Sequence, residues 1–198
     1  MRQIQIYENA DILCGELAEA LPISASISEP IHIALSGGST PTLLFEKMTA
    51  VDDPDAFKNT HFYWVDERHV PEDDPESNYA VFRRLLIDTG IVSAENVHPI
   101  KYHPDIHQMT ANYEQELRKH VPFEDGYPLF DEIVLGVGED GHTASIFPDR
   151  LDLFETTDIV ATTRHHVTGQ GRVTLTGNTI NNAYGATVLC TGEKKRRI

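Results

Sequence analysis

The sequence has few cysteines and no long apolar run. Only two of its 198 residues are cysteine, too few for the disulfide framework of a small secreted protein. No apolar run approaches the roughly 20 residues of a membrane-spanning helix. The beginning, MRQIQIYENAD, lacks the apolar segment of a secretory signal. These absences predict a cytoplasmic protein in which Cys14 and Cys190, each in an apolar stretch, are reduced and buried.

Positive charge is also scarce. The chain has 16 Lys and Arg residues against 31 Asp and Glu residues, a formal net charge of −15. Such a surface repels nucleic acid and anionic membranes, so we expect neither as a partner. A phosphorylated metabolite would need a local pocket of positive potential. The basic cluster KKRRI at 194–198 is interpreted as a solvated helix end rather than a nucleic-acid patch.

Helix and strand patterns alternate along the chain. Apolar periodicity and caps predict helices over 10–21, 77–88 and 105–120, the last one polar and on the surface. Apolar and β-branched runs predict strands at 4–7, 31–35, 62–65, 97–100, 133–135, 159–162, 173–176 and 187–189. This alternation is typical of an α/β fold, here a doubly wound, mostly parallel sheet with helices on both faces (Rossmann-like, three-layer α/β/α). Residues 1–198 are predicted to form one domain.

The segment GVGEDGHTASIFP at 136–148 follows a predicted buried strand and contains a single histidine, His142. Ligands bind at the carboxyl edge of such sheets. His142 is therefore a candidate general base, with a pKa tuned by Asp140 or Glu139. The alternative is that His142 only caps a short helix.

The same segment matches G-x-G-x-x-G through Gly136, Gly138 and Gly141. A dinucleotide-binding fold needs a long helix directly after the last glycine. Pro148 leaves room for barely two turns, and the motif lies late in the chain. The pattern therefore argues against nucleotide binding.

A second loop, SGGSTP, follows the predicted strand at 31–35. Its glycines allow a ligand to approach the backbone, Ser39 and Thr40 add hydroxyl donors, and Pro41 is typical of a first helical turn. This pattern predicts an anion site at a helix N-terminus. The alternative is an ordinary strand-to-helix turn with Ser and Thr caps.

A third loop, Asp66-Glu67-Arg68-His69, follows the predicted strand at 62–65. Arg68 can bind a phosphate bidentately, and Asp66 can orient a histidine or a water molecule. The alternative is a charged surface turn in which Asp66 and Arg68 satisfy each other.

Possible metal ligands are Asp66, Glu67, His69, Asp140 and His142. None of them shows a diagnostic metal spacing, so no metal is predicted. The pair His103 and His107 is interpreted as solvated, and the pair His165–His166 as facing water.

Taken together, the loops ALSGGSTP (34–41), WVDERHVP (64–71) with SNY (77–79), and GVGEDGHTASIFP resemble the 6-phosphogluconolactonases, as does RVTLT at 172–176. The related glucosamine-6-phosphate deaminases typically carry Asp-Glu-Tyr and His-Ile-Ala-Phe-Asn-Glu-Pro in the second and third motifs. This chain has Asp-Glu-Arg and His-Thr-Ala-Ser-Ile-Phe-Pro, which favours the lactonases.

The resemblance implies hydrolysis of 6-phospho-glucono-1,5-lactone to 6-phosphogluconate, in the oxidative pentose phosphate pathway, with no cofactor. It implies the phosphorylated sugar lactone as the partner, and the chain itself is expected to be a monomer or homodimer. His142 would be catalytic and Asp66 would assist it. The residues implied in binding phosphate and sugar are Ser36, Gly37, Gly38, Ser39, Thr40, Arg68, Gly138, Asp140, Gly141 and Arg172.

The chain departs from the family at its end, because relatives commonly continue past the strand at 187–189 with a helical segment. The sequence is therefore expected to be short at the C-terminus, and a missing helix would uncover an apolar face. Two other functions stay open: an amino-sugar phosphate deaminase or isomerase, and a non-catalytic sugar-phosphate-binding protein.

Overall fold

A computed structural model describes residues 3–22, 30–53 and 55–197. In chain order the helices and strands are α1 (Ala10–Ala20), β1 (Ile31–Leu35), α2 (Ser39–Met48), β2 (Thr60–Trp64), β3 (Asp66–Arg68), α3 (Asn78–Phe82), β4 (Val97–His98), α4 (Ile106–His120), β5 (Phe123–Glu124), β6 (Tyr127–Pro128), β7 (Glu132–Gly136), β8 (Val160–Arg164), β9 (Gly171–Leu175), α5 (Gly177–Asn181) and β10 (Gly185–Leu189). Shorter π-helical and 3-10 turns lie at Arg83–Ile87, Ala94–Asn96, Leu151–Phe154 and Glu193–Arg197.

The central sheet has five parallel strands in the order β10-β7-β1-β2-β4. Every residue of β1 is buried, as expected for a parallel sheet covered on both faces. Rings from α2, β2 and α3 meet on one side: Phe82 lies 5.2 Å from Phe45 and 5.1 Å from Phe62 between ring centroids. The predicted α/β class with a mostly parallel sheet is confirmed.

A second, antiparallel sheet of order β3-β9-β8 stands beside the first. The strands predicted at 159–162 and 173–176 exist, but they pair with each other instead of extending the parallel sheet. Only the short loop at 165–170 joins them, and a parallel pair needs a crossover of a dozen or more residues. β3 was missed because Asp66-Glu67-Arg68 has no apolar pattern.

Two other expectations were wrong. Residues 4–7 form no strand, and Ile4 and Ile6 are 88% and 91% exposed, because nothing in the described ranges pairs with this segment. Cys190 is exposed, just after the end of β10, whereas Cys14 is buried as expected. The helix predicted at 77–88 is confirmed over Asn78–Ile87, where it is α-helical to Phe82 and then π-helical.

The predicted helix at 105–120 matches α4, which Asp105 caps by accepting from the His107 N–H at 2.9 Å. The helix is mostly polar, but one of its faces is buried, because Met109, Tyr113 and Leu117 form an apolar stripe at i, i+4 spacing. Among the described residues, no helix is both long and apolar enough to cross a membrane.

Candidate active site

A cleft of about 320 Å³ opens at the carboxyl ends of β1, β2 and β7. This is the edge at which the sequence predicted a site, and the volume lies within the usual range for small-molecule pockets. Ten predicted residues line it: Ser36, Gly37, Gly38, Ser39, Thr40, Asp66, Arg68, Gly138, His142 and Arg172. Asp140 and Gly141 belong to the loop that carries His142 but do not line the cleft.

The loop after β1 is fitted closely to its surroundings. A side chain on Gly37 would collide with Asn78, whose Oδ1 would lie 1.7 Å from a Cβ there. Gly38 caps α2 with φ of 107°, a conformation that favours glycine. The first N–H groups of α2, those of Ser39 and Thr40, have no acceptor inside the helix. They leave a positive dipole end at the cleft.

Two hydroxyls of this loop are engaged in holding the site together. Ser36 Oγ accepts from the Gly136 N–H at 3.2 Å, which joins the loops after β1 and β7. Thr40 Oγ1 lies 2.6 Å from Thr191 Oγ1, so this hydroxyl already has a hydrogen-bond partner. Ser39 remains the hydroxyl available to the cleft.

Glu67 organises the segment that follows β3. Its buried carboxylate accepts from the N–H groups of Arg68, Asn78 and Tyr79 and from the Ser77 hydroxyl, at 2.8 to 2.9 Å. Burial raises the pKa of the Glu67 carboxyl although these hydrogen bonds oppose the shift. The Asn78 side chain then donates to the Asp66 carbonyl at 2.9 Å. This network places Asn78 against Gly37 at the cleft wall.

Two arginines face the cleft from the antiparallel sheet. Arg68 on β3 is in register with Arg172 on β9. Arg68 donates to the Glu76 carbonyl and Arg172 to the Gln170 side chain, and no carboxylate partner for either is found in the described part of the chain. Burial, and then the charge of Arg68, lower the pKa of Arg172. The carboxylates of Asp66, Glu67 and Glu76 oppose this shift without forming an ion pair with Arg172. Two close guanidinium groups without an ion-pair partner favour an anion between them.

The His142 ring is held by Asp140. The Nδ1 atom of His142 contacts Asp140 Oδ1, and the His142 N–H reaches the same oxygen at 3.3 Å. Burial alone would raise the pKa of the Asp140 carboxyl, but the bonds from His142 outweigh it and the pKa is lowered. A carboxylate at Nδ1 favours the tautomer that carries its proton there. Nε2 is then left with a free electron pair.

The backbone N–H groups of Gly138 and Gly141 already donate hydrogen bonds within this loop. The Gly138 N–H donates to the His142 carbonyl at 2.7 Å, and the Gly141 N–H donates to the Gly138 carbonyl at 3.2 Å. These two groups therefore do not offer hydrogen bonds to a ligand. A side chain on Gly138 would lie 2.3 Å from the His142 ring, so this glycine serves the close approach of the imidazole.

Asp66 contacts a serine and not a histidine. Its Oδ2 accepts from Ser145 Oγ at 2.6 Å, and the Ser145 N–H donates to Thr174 Oγ1 at 3.2 Å. The carboxylate that holds the His142 ring is that of Asp140. Asp66 nevertheless lines the cleft, where it can accept from a water or a sugar hydroxyl.

Among the cleft residues that the sequence did not assign to the site, four have polar or charged side chains that were given no part in it: Asn78, Ser145, His165 and Lys195. His165 was expected to face water, but its ring packs on Phe147 at 5.0 Å beside the cleft. Lys195 belongs to the basic cluster that was assigned to a solvated helix end. Asn78 and Ser145 lie inside motifs that carried the resemblance, so the signal was present for these two.

Comparison with known proteins gives a consistent result. A family profile described as glucosamine-6-phosphate isomerases/6-phosphogluconolactonase matches residues 7–198. Two relatives named 6-phosphogluconolactonase are 41% identical (Haemophilus influenzae) and 35% identical (Treponema pallidum), each over 196 residues. The first alignment covers 97% of this chain and 82% of the relative, the second 96% and 80%.

A solved structure of 6-phosphogluconolactonase from Trypanosoma brucei superimposes with a TM-score of 0.86 at 28% identity, covering 99% of this chain and 84% of that one. Sequence profile, relatives and fold therefore agree. The chain belongs to the family of glucosamine-6-phosphate isomerases and 6-phosphogluconolactonases.

Proposed function

We propose that this enzyme of the 6-phosphogluconolactonase type hydrolyses 6-phospho-D-glucono-1,5-lactone to 6-phospho-D-gluconate, with His142 as the general base. The observation that carries the proposal is one cleft lined by the His142 imidazole, the Arg68 and Arg172 guanidinium groups and the N-terminus of α2. The imidazole can accept a proton, and the guanidinium groups and the helix N-terminus can bind a phosphate.

The phosphate is bound at the positive side of the cleft. Arg68 and Arg172 supply charged donors, and the α2 N–H groups of Ser39 and Thr40 supply neutral ones. On a chain with a net charge of −15, this local concentration of positive potential is what attracts an anionic substrate. Fixing the phosphate orients the lactone ring toward His142 and makes the attack of water effectively intramolecular.

His142 then acts through Nε2. It removes a proton from water as the water oxygen bonds to C1 of the lactone, and the carbonyl oxygen becomes an oxyanion. As the C1–O bond of the ring breaks, protonated His142 returns the proton to the ring oxygen, which becomes the C5 hydroxyl. Asp140 fixes the tautomer and stabilises the imidazolium. Asp66, anchored by Ser145, orients the attacking water.

The test is the variant His142→Asn, assayed with freshly generated lactone and corrected for spontaneous opening. We expect kcat to fall about 10²- to 10⁴-fold, the usual contribution of a general base, with KM largely unchanged. His107→Asn, an exposed histidine at the start of α4, is the control and should be unaffected. Near-normal turnover in His142→Asn would remove this residue from the mechanism.

The same preparation should also be tested with glucosamine 6-phosphate, because the description of the family includes glucosamine-6-phosphate isomerases. Ammonia release from that compound, without lactone hydrolysis, would contradict the proposal in favour of a deaminase. Phosphate-ester binding without hydrolysis of either compound would indicate a binding protein.

A further inference from the structure

Three histidines lie side by side on neighbouring strands, outside the cleft: His32 on β1, His61 on β2 and His98 on β4. His32 on β1 is in register with His61 on β2, and Tyr63 on β2 is in register with His98 on β4. His61 and Tyr63 are two residues apart and therefore share one face of the sheet. The rings of His61 and His98 stack at 5.2 Å, with His61 Nδ1 2.9 Å from His98 Nε2.

The last turn of α4 lies over the end of this row. It contributes Glu116 and His120, which are four residues apart and therefore point from the same side of the helix. Glu116 Oε1 lies 2.8 Å from His98 Nδ1 and 3.5 Å from His120 Nε2. The rings of His98 and His120 are 4.5 Å apart between centroids. One potential ligand atom from each of the three residues lies within 4.8 Å of the other two.

We propose that His98, Glu116 and His120 form a binding site for one divalent transition-metal ion, with Zn²⁺ as the best match. Two imidazole nitrogens and one carboxylate oxygen are a donor set that Zn²⁺ favours. With metal–ligand bonds of about 2.0–2.2 Å, tetrahedral ligands stand roughly 3.3 Å from each other. The separations of 2.8 and 3.5 Å lie on either side of that value, and the His98 and His120 nitrogens lie within 4.8 Å of each other, so side-chain rotations would bring the three ligands into place.

The surroundings also fit a metal ion. The His98 side chain is 5% exposed, while those of Glu116 and His120 are 32% and 30% exposed, so the ion would be reached from solvent on one side. A water molecule would complete the coordination there. When His98 binds the ion through Nδ1, its Nε2–H can donate to His61 Nδ1, the kind of outer partner that orients a ligating histidine.

The site is separate from the proposed catalytic cleft, since none of its three residues lines that cleft. It would connect β4, a two-residue strand at the edge of the sheet, to the C-terminal turn of α4. A bound ion would therefore brace this edge against unfolding, because any ligand that binds only the folded state stabilises it.

The experiment is equilibrium dialysis and thermal unfolding of tag-free, chelator-treated protein with ZnCl₂. We expect one Zn²⁺ per chain and a rise in Tm that grows with Zn²⁺ concentration. The variants Glu116→Gln and His120→Gln should each weaken binding by at least about tenfold, since loss of an outer partner alone costs roughly 10- to 100-fold. Both side chains are partly exposed, so the variants are expected to fold, which circular dichroism checks.

Glu114→Gln and His107→Gln are the matched controls, because they lie on the same helix but outside the cluster. They should keep the affinity and the Tm rise of the wild type within about twofold. The proposal is overturned if the wild type binds no Zn²⁺, or if both ligand variants retain its affinity, since the ion would then be bound elsewhere.

Discussion

Arg68 and Arg172 face each other in register across the β3–β9 pair, both on the wall of the cleft. Like charges placed directly opposite in a sheet are destabilising by themselves. Burial of Arg172 adds to this cost, because a buried guanidinium needs a partner. The arrangement becomes favourable when an anion lies between the two groups, so we regard the pair as a site prepared for the substrate phosphate.

Arg68→Ala should therefore mainly raise KM. A hydrogen bond to a charged group contributes about 1.5–3 kcal/mol, so KM should rise roughly 10- to 100-fold with kcat less affected. Inorganic phosphate should raise the Tm of the wild type more than that of the variant. Arg164→Ala, on β8 and outside the cleft, is the control. An unchanged KM in Arg68→Ala would mean that the phosphate binds elsewhere.

Asp140→Asn tests how the His142 ring is held. The amide retains the shape of the carboxylate but can neither stabilise the imidazolium nor fix the proton on Nδ1 as firmly. We expect kcat to fall at least about tenfold, up to the 10⁴-fold known for a comparable substitution in a catalytic triad, with KM nearly constant. Asp149→Asn, which changes an exposed carboxylate just after the segment that carries His142, should leave kcat unchanged. Equal activities of the two variants would contradict the role of Asp140.

The strands of the parallel sheet and the three loops could be predicted because their signals are local. The apolar run at 31–35 and the glycines after it specify a buried strand and a turn without reference to the rest of the chain. Helix α4 was equally predictable, since Asp105 supplies its cap and the stripe of Met109, Tyr113 and Leu117 supplies its buried face.

The contacts inside the site could not be predicted in the same way. That Asp66 would contact Ser145 depends on the distant strands β3 and β9 pairing, which their sequences do not reveal. The position of Asn78 depends on Glu67, a buried charge with four hydrogen-bond donors. Such long-range polar networks have no periodicity, so the sequence identified the loops but not their partners.

Gly37→Ala should disrupt the cleft wall. The new Cβ would lie 1.7 Å from Asn78 Oδ1, and Asn78 cannot withdraw without losing its bond to the Asp66 carbonyl. We expect a loss of about 1–3 kcal/mol in the free energy of unfolding, as for other overpacked sites, together with reduced activity. Urea unfolding and the lactone assay measure both.

Two comparisons make this prediction specific. Gly15→Ala, in α1 with no described atom within 4 Å of the added Cβ, should be neutral or stabilising by up to about 1 kcal/mol. In an Asn78→Ala background, Gly37→Ala should cost less than in the wild type, because the colliding atoms are gone. Purely additive losses would show that the two residues do not interact.

His32 should lower the free energy of unfolding at acidic pH. Burial, and then the neighbouring His61, lower its pKa from 6.5 to about 4. Above pH 6.5 neither state binds the proton, but between pH 6.5 and about 4 only the unfolded chain does, so stability falls with pH. In urea titrations across this window, the free energy of unfolding should fall by roughly 1 kcal/mol less per pH unit in His32→Gln than in the wild type. His107→Gln should keep the wild-type slope, and parallel slopes for all three proteins would refute the assignment.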